Sequence, residues 1–415
     1  MTIMGTFVVV FTIAFQSCPG KQLRRFKTSY PDQSGFSDST TNYLYDPLYA
    51  NNFCIIRRDG EKVIYLKNPV TGVETQQVIK KANRVVCLSS THIAYLDALN
   101  ETGSIVGVSG LPYVYNKRKL KAIDVGYESS IDYETLLQLN PDVVFAYSIP
   151  GQTAEYLDKI RQLGLNVVEM TEHMENHPLG KAEFLVAFAA FFNKEEMAAE
   201  IFTCIDQAYE HFCTLAKQAA CLEHKSLTAT TTTTTATATT TTNTNTNTNT
   251  APTTSGTPGT TPNGSARKKQ EVPRVKVLIN APYKDIWYIP GQESHQNILI
   301  EDAGGLLLGS KPGNKTTVIS TEQAYLYALE ADYWIHPNQY TQLSELLHAD
   351  PRFADSPALA NERIWNNNLR TTPAHGSDYF ESGAVNPHLI LADLIAIFYP
   401  DALPNHKFTY YRQLK

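Results

Sequence analysis

Cysteine is scarce in this sequence, and no two cysteines have the spacing of a metal or redox motif. Six cysteines occur in 415 residues without any Cys-x-x-Cys pair, which argues against a disulfide scaffold, a structural zinc site and a thioredoxin-like motif. A basic excess is also absent, because 35 Lys and Arg stand against 41 Asp and Glu and give a net charge of -6. Nucleic-acid-binding proteins usually show a clustered basic excess, so we expect no nucleic-acid partner.

The common catalytic motifs are absent as well. The sequence contains no Gly-x-Ser-x-Gly nucleophile elbow, no phosphate-binding Gly-x-x-x-x-Gly-Lys-Ser/Thr run, no His-Glu-x-x-His zinc motif and no Gly-x-Gly-x-x-Gly dinucleotide turn. Ser89, His92, His375 and Asp378 supply the residue types of a hydrolytic triad, so a hydrolase is kept as an alternative. We expect a binding protein rather than an enzyme, with no catalytic residue and no metal or cofactor of its own.

A short apolar run lies at the start of the chain. Residues 7–15 are almost entirely apolar, which is too short to span a bilayer but suits the core of a signal peptide. Ser17 precedes Cys18, and this resembles a bacterial lipoprotein processing site in which Cys18 becomes lipidated. We therefore predict a lipoprotein signal peptide at 1–18, a flexible tether at 19–43 and a membrane-anchored periplasmic protein. The alternative is a buried first strand that ends in an ordinary cysteine.

Strands alternate with helices in two separate series. The 42% of hydrophobic residues could form one large core or two medium ones. One series lies within 44–180 and starts from the apolar strand 84–88, and the other lies within 272–415 and starts from 275–279. Such alternation predicts mostly parallel sheets covered on both faces. We expect an α/β protein with an N-terminal and a C-terminal Rossmann-like lobe.

The two series are separated by a helical segment and by an insert of low complexity. Residues 181–224 have apolar side chains at helical spacing, and Asn193 with Glu196 has the form of a capping box. This predicts a long helix from Lys194 to about residue 222 that joins the lobes, or alternatively one more crossover helix. The Thr-rich segment 225–271 has little to bury and is predicted to be disordered, either O-glycosylated or inert.

These elements together resemble the substrate-binding proteins of ABC importers for iron-siderophore, haem and cobalamin. The resemblance extends from Phe53 to the C-terminus outside the insert, and the stretch 376–387 looks like the Bacteroidetes-type lipoproteins of that family. It rests on the order and spacing of four further segments, 84–99, 124–127, 133–144 and 320–335. The resemblance implies the class III periplasmic-binding-protein fold, in which one long helix joins two lobes and permits only a small closure.

Two glutamates open short helices, one in each predicted lobe. Glu134 and Glu322 occupy equivalent places in the segments 133–144 and 320–335, where the helix dipole favours a carboxylate. In the family, glutamates at these places dock onto arginines of the permease. The resemblance therefore implies that the partners are an ABC permease and, through it, an ATPase. We expect the protein to act as a monomer.

Ligands of open α/β sheets bind beyond the carboxyl ends of the strands, which here predicts a site in the cleft between the lobes. The candidates combine aromatic rings, which suit a macrocycle or catechol, with cations that suit carboxylates or phosphates. They are Ser89, Ser90, Thr91, His92, Tyr113, Tyr115, Tyr147, Tyr283, Lys284, Trp287, Tyr288, Asn366, Asn368, Arg370 and Tyr379. His92 and His375 have the chemistry of axial metal ligands, although a lone histidine more often forms a local hydrogen bond.

The expected cargo is a small metal chelate, an iron-siderophore, haem or cobalamin, and the residues do not distinguish among these. The expected function is to capture the chelate in the cleft and to deliver it to an inner-membrane permease. A surface-anchored carrier that works with an outer-membrane receptor, without an ABC partner, is the alternative within the binding proteins.

Overall fold

A computed structural model describes most of the chain after the predicted tether. The described residues are 42–127, 130–149, 155–236, 274–282 and 286–415. Cys18, Tyr283 and Lys284 lie outside them, as do the predicted signal peptide and most of the predicted insert. The chain forms two compact units. Unit 1 contains the described residues up to Ala208 together with Thr371–Pro387, and unit 2 contains those of Tyr209–Arg370 and His388–Lys415.

Unit 1 begins with an antiparallel sheet that was not among the predicted elements. Its four strands pair in chain order and are β1 (Asn42–Tyr45), β2 (Phe53–Arg58), β3 (Glu61–Lys67) and β4 (Glu74–Val78). A two-residue turn joins β2 to β3, and both its residues, Asp59 and Gly60, have positive φ angles of 52° and 84°. Asp-Gly is a preferred sequence for this hairpin turn, because such φ angles match the twist of the strands.

The second sheet of unit 1 is parallel and provides the edge on which candidate ligand residues lie. Its strands have the order β7-β6-β5-β8-β9. The elements in chain order are β5 (Val85–Cys87), α1 (Ser90–Ala98), β6 (Ile105–Val108), β7 (Ile123–Asp124), α2 (Tyr133–Gln138), β8 (Val143–Ala146), α3 (Glu155–Gln162) and β9 (Val167–Glu169). The strand order reverses direction between β5 and β8, and such a switch point is where open parallel sheets usually bind ligands.

Two helices follow this sheet. Helix α4 (Pro178–Ala189) is buried along nearly its whole length, and α5 (Glu195–Ala236) begins in unit 1 and continues in unit 2. Asn193 is not the predicted N-cap, because its φ of 54° and ψ of 42° are left-handed and it instead ends the preceding 3-10 turn. Helix α5 also continues to Ala236, beyond the predicted end and into the segment predicted to be disordered, because extending a formed helix needs no new nucleation.

Unit 2 contains a mainly parallel sheet of order β12-β10-β14-β15-β16, in which only β16 is antiparallel. Strand β11 pairs with β13 in a separate antiparallel ribbon. The strands are β10 (Val275–Ile279), β11 (Trp287–Ile289), β12 (Gly305–Leu307), β13 (Thr317–Ile319), β14 (Tyr333–Ile335), β15 (Ile364–Asn366) and β16 (Arg412–Gln413). The helices that follow α5 are α6 (His295–Asp302), α7 (Thr321–Glu330), α8 (Leu343–Ala349), α9 (Pro357–Ala360), α10 (Asp378–Glu381) and α11 (Pro387–Phe398).

The segment Thr371–Pro387, which contains α10, packs in unit 1 although it was predicted within the C-terminal lobe 272–415. Its contacts explain this placement. The Thr91 hydroxyl donates to the backbone carbonyl of Phe380 over 3.0 Å, and Glu381 accepts hydrogen bonds from the loop that follows β6. No helix among the described residues is both long and apolar enough to cross a bilayer.

In each unit a buried carboxylate holds a distant piece of backbone, as Glu183 and Asp393 show. Glu183 on α4 is fully buried and accepts hydrogen bonds from the Tyr45 hydroxyl and from the backbone N–H groups of residues 48, 49 and 50, at 2.6 to 2.9 Å. Asp393 on α11 accepts from the N–H groups of Thr409 and Tyr410 at 3.1 and 2.7 Å. Buried carboxylates are stable only when so satisfied, because burial removes their hydration.

Candidate functional site

The carboxyl edge of the parallel sheet in unit 1 carries the first group of candidates. Ser89 caps helix α1, and its side chain accepts a hydrogen bond of 3.3 Å from the Thr91 N–H. Ser89, Ser90 and Thr91 are partly exposed. Tyr147 follows β8 on the same edge and is also partly exposed. These residues therefore present hydroxyl groups beside the strand ends, as predicted.

Three large aromatic side chains of unit 1 are exposed. Tyr113, Tyr127 and Phe380 expose 51%, 46% and 58% of their surface, and the rings of Tyr113 and Tyr127 lie 6.3 Å apart between centroids. Tyr113 was predicted to bind ligand, whereas Tyr127 and Phe380 were not, although both lie in segments that carried the family resemblance. Phe380 lies at the same edge of the sheet, since its carbonyl accepts a hydrogen bond from Thr91 at the start of α1. Exposed apolar side chains at one edge are typical of binding surfaces, so we name Tyr113, Tyr127 and Phe380 the aromatic group.

The loop that bears Tyr113 is held in place by the segment around α10. Glu381 is 1% exposed and accepts hydrogen bonds from the N–H groups of Tyr115 and Asn116 at 2.8 and 3.1 Å. Burial raises the pKa of Glu381 to about 7, although these two N–H groups act in the opposite direction. Gly376 contacts the same loop so closely that a Cβ atom would overlap the Tyr113 carbonyl. The contribution of Tyr115 is therefore its backbone N–H group, whose hydrogen bond to Glu381 fixes the position of the loop.

Replacing Gly376 by alanine is expected to destabilise the protein, because the new methyl group must displace the backbone of Tyr113. Overpacking of this kind costs about 1 to 3 kcal/mol of unfolding free energy. Urea unfolding measures the change. Gly103→Ala is the matched control, because no heavy atom lies within 4 Å of the added Cβ there. Equal stability of Gly376→Ala and Gly103→Ala would contradict the close contact.

His92 does not lie on the binding edge as predicted. It is fully buried, and its Nε2 lies 3.3 Å from Glu172 Oε1. Burial acts to raise the pKa of Glu172, but the pairing with His92, with a contribution from His173, holds that pKa below its usual value. The role of His92 is thus to pair with a buried carboxylate in the core, and the prediction that it contacts ligand is wrong.

Two candidates in unit 2 are also core residues. Trp287 is fully buried and packs against Trp334 with ring centroids 5.8 Å apart. Asn366 is fully buried, and its amide nitrogen donates to the carbonyls of Asn338 and Tyr340 at 2.9 and 2.7 Å. Both side chains stabilise unit 2 and are not available to a ligand. Sequence position after a strand does not reveal which way such a side chain points.

The other described candidates keep some exposure or lie beside exposed rings. Tyr288 is 38% exposed, and the Arg370 guanidinium lies 5.9 Å from the centroid of the Tyr410 ring. Asn368 is partly exposed and donates to the Tyr340 carbonyl over 3.0 Å. Tyr379 is buried, and its ring packs edge-on against the ring of Phe380 with centroids 5.1 Å apart. Tyr379 therefore positions Phe380 of the aromatic group.

A pocket inside unit 2 is too small for the expected cargo. Its volume is about 180 Å³, and Trp334, Tyr340 and Phe353 are among the residues that line it. Pockets for drug-sized ligands usually measure about 300 to 1,000 Å³, and chelates of the expected kind are at least that large. The pocket is therefore not the chelate site.

Glu134 and Glu322 have the same local setting in the two units. Each is exposed and is the second residue of its helix, α2 or α7. Asp132 and Ser320 cap these helices by accepting backbone N–H groups of the first turn. Hydrogen bonds from the backbone and from Ser320 lower the pKa of Glu322, which favours its charged form. Each helix therefore presents a solvent-accessible carboxylate at its N-terminus.

Comparison with known proteins agrees with the topology of parallel sheets and one long helix. Residues 85–228 match the family described as periplasmic binding protein. The class III fold predicted from the sequence is confirmed, and the recognition of the family is confirmed with it.

Three proteins to which this chain is similar are an archaeal lipoprotein and two bacterial proteins of solved structure. An uncharacterized lipoprotein of Methanocaldococcus jannaschii is 24% identical over 341 residues, which cover 78% of this chain and 67% of the relative. A periplasmic heme binding protein from Pseudomonas aeruginosa has a TM-score of 0.52 and 16% identity, covering 80% of this chain and 98% of its own. A possible iron-binding protein from Staphylococcus epidermidis has a TM-score of 0.51 and 16% identity, and the match covers 77% of this chain and 100% of that protein's chain. The two solved structures establish likeness of fold.

Proposed function

We propose that this protein is the substrate-binding component of an ABC importer and that it captures a metal chelate, an iron-siderophore, haem or cobalamin. The observation that carries the proposal is the aromatic group at the carboxyl edge of the unit 1 sheet, because Tyr113, Tyr127 and Phe380 expose flat rings where such sheets bind ligands. A heme binding protein and a possible iron-binding protein share the fold, which supports this class of cargo.

Delivery to a permease is the second part of the proposal. Glu134 and Glu322 present exposed carboxylates at the N-termini of comparable helices, one in each unit. Carboxylates of this kind suit bidentate pairing with arginine guanidinium groups. The proposed partners are therefore a permease bearing such arginines and the ATPase bound to that permease, with the binding protein acting as a monomer.

The proposed location is the periplasm, with a lipid anchor on Cys18. The apolar run 7–15 followed by Ser17 and Cys18 supports this, as does the description of the archaeal relative as a lipoprotein. The anchor would keep the protein at the membrane that contains its permease.

Binding without catalysis is favoured by the burial of two of the four triad-type residues, although His375 is exposed. His92 and Asp378 are fully buried, and His92 pairs with Glu172. A hydrolytic base must reach both its nucleophile and the substrate, which a histidine enclosed in the core does not do. Ser89 is also engaged as the cap of helix α1.

The test is isothermal titration of the purified protein with four chelates: a ferric catecholate, a ferric hydroxamate, haemin and cyanocobalamin. We expect one of them to bind with a dissociation constant of about 1 µM or lower. Tyr113→Ala with Phe380→Ala is expected to weaken that binding about tenfold or more, because stacking surface is lost. Val70→Ala, which trims an exposed apolar side chain of the N-terminal sheet, is the control. Absence of binding to all four would contradict the proposed function.

A further inference from the structure

The loop between β6 and β7 carries an unusual concentration of positive charge. Four of the five residues at 117–121 are Lys or Arg, in a chain whose net charge is -6. Lys117, Arg118 and Lys121 are exposed, and we name these three the basic group. Overall composition does not account for this cluster of positive charge, because the rest of the chain is acidic.

Little in the described part of unit 1 neutralises this charge. No ion pair joins a described carboxylate to Lys117, Arg118 or Lys121. Two nearby carboxylates are engaged with backbone instead. Asp124 accepts from the N–H groups of residues 110, 111 and 126, and Glu381 accepts from those of residues 115 and 116. The basic group is thus exposed to solvent and has no ion pair among the described residues.

The basic group shares one loop with Tyr113 of the aromatic group. Tyr113 lies four residues before Lys117, and Glu381 and Gly376 fix the backbone between them. The loop begins at the carboxyl end of β6, where ligands of parallel sheets bind. A ligand on the ring of Tyr113 would therefore lie against the loop that carries the basic group.

We infer that the cargo is an anionic chelate with aromatic or conjugated rings, and this inference rests on the proposed function. The rings would stack on the aromatic group, and Lys117, Arg118 and Lys121 would bind negatively charged oxygens, catecholate or carboxylate, at its rim. Arginine and lysine form charge-assisted hydrogen bonds with such oxygens. A ferric catecholate and a haem with its carboxylates have this chemistry, whereas an uncharged ferric hydroxamate and cyanocobalamin do not.

The test compares charge variants with four probes: an anionic ferric tris-catecholate, haemin, an uncharged ferric hydroxamate and cyanocobalamin. The variant Lys117→Gln/Arg118→Gln/Lys121→Gln removes the basic group. The control variant Arg58→Gln/Lys80→Gln/Lys81→Gln removes the same amount of charge from exposed positions elsewhere in unit 1. Urea unfolding of both variants checks that neither has lost its fold, as expected for exposed substitutions.

We expect the wild-type protein to bind one of the two anionic probes more tightly than either uncharged probe. Loss of the basic group should weaken that binding about 10- to 100-fold, and the control variant should change it by less than about twofold. Added salt should weaken wild-type binding more than binding by the variant, because salt screens exposed charges.

Two results would overturn the inference while the proposed function stands. One is that an uncharged probe binds most tightly to the wild-type protein. The other is that the Lys117→Gln/Arg118→Gln/Lys121→Gln variant binds the anionic probe with unchanged affinity, which would show that the basic group is an ordinary solvated surface. Binding of none of the four probes would remove both the proposed function and this inference.

Discussion

Exchanging Glu134 and Glu322 together for arginine is expected to abolish uptake of the chelate by cells and to leave its affinity for the isolated protein within about twofold. Both carboxylates are exposed at helix N-termini, and neither belongs to the aromatic group or the basic group. The introduced arginines would face the arginines proposed on the permease, and repulsion between these like charges would oppose docking. Uptake of labelled chelate and titration of the purified variant measure the two properties.

A matched control separates docking from general surface charge. Glu155→Arg with Glu330→Arg reverses one exposed carboxylate in each unit on α3 and α7, away from the first turns of α2 and α7. This control should transport normally. Normal uptake by the Glu134→Arg/Glu322→Arg variant, or equal loss in the control, would remove the docking proposal.

Replacing Glu183 by alanine is expected to cause the largest loss of stability. The change leaves three backbone N–H groups and the Tyr45 hydroxyl without their acceptor in a buried place. Loss of a buried charged partner typically costs about 3 to 5 kcal/mol. Urea unfolding should show this decrease, with early exposure of the segment around residues 48–50.

Two further variants test that account of Glu183. Glu183→Gln keeps one acceptor oxygen and should be destabilised by less than Glu183→Ala. Glu200→Ala removes an exposed carboxylate from α5 and should change stability by less than about 0.5 kcal/mol. Similar stabilities for Glu183→Ala and Glu200→Ala would show that the segment 48–50 is held by other contacts.

The parallel sheets and the long helix could be predicted because their signals are local. Apolar strands such as Val85–Cys87 alternate with helices, and the helical spacing of residues after Glu195 is visible in the sequence. The N-terminal sheet was missed although Asp59-Gly60 is a hairpin signal. The end of α5 was placed too early because Thr-rich composition argues against a helix, whereas a formed helix extends without a new nucleus.

The candidate site was harder to predict, because it depends on contacts between distant residues. Nothing local indicates that Glu381 reaches Tyr115, or that Gly376 packs on the loop of Tyr113. The same limit explains why His92 and Trp287 were placed at a binding edge and lie in the core. A residue after a strand can point to either side, and only its packing partners decide which.

The protein is proposed to bind a metal chelate and to release it unchanged. The most direct measurement is titration with the four chelates followed by recovery of the bound one from the unfolded protein and determination of its mass. We predict saturation at one chelate per chain and recovery of the intact chelate. A chelate recovered in cleaved form, or no saturable binding of any of the four, would contradict the claim.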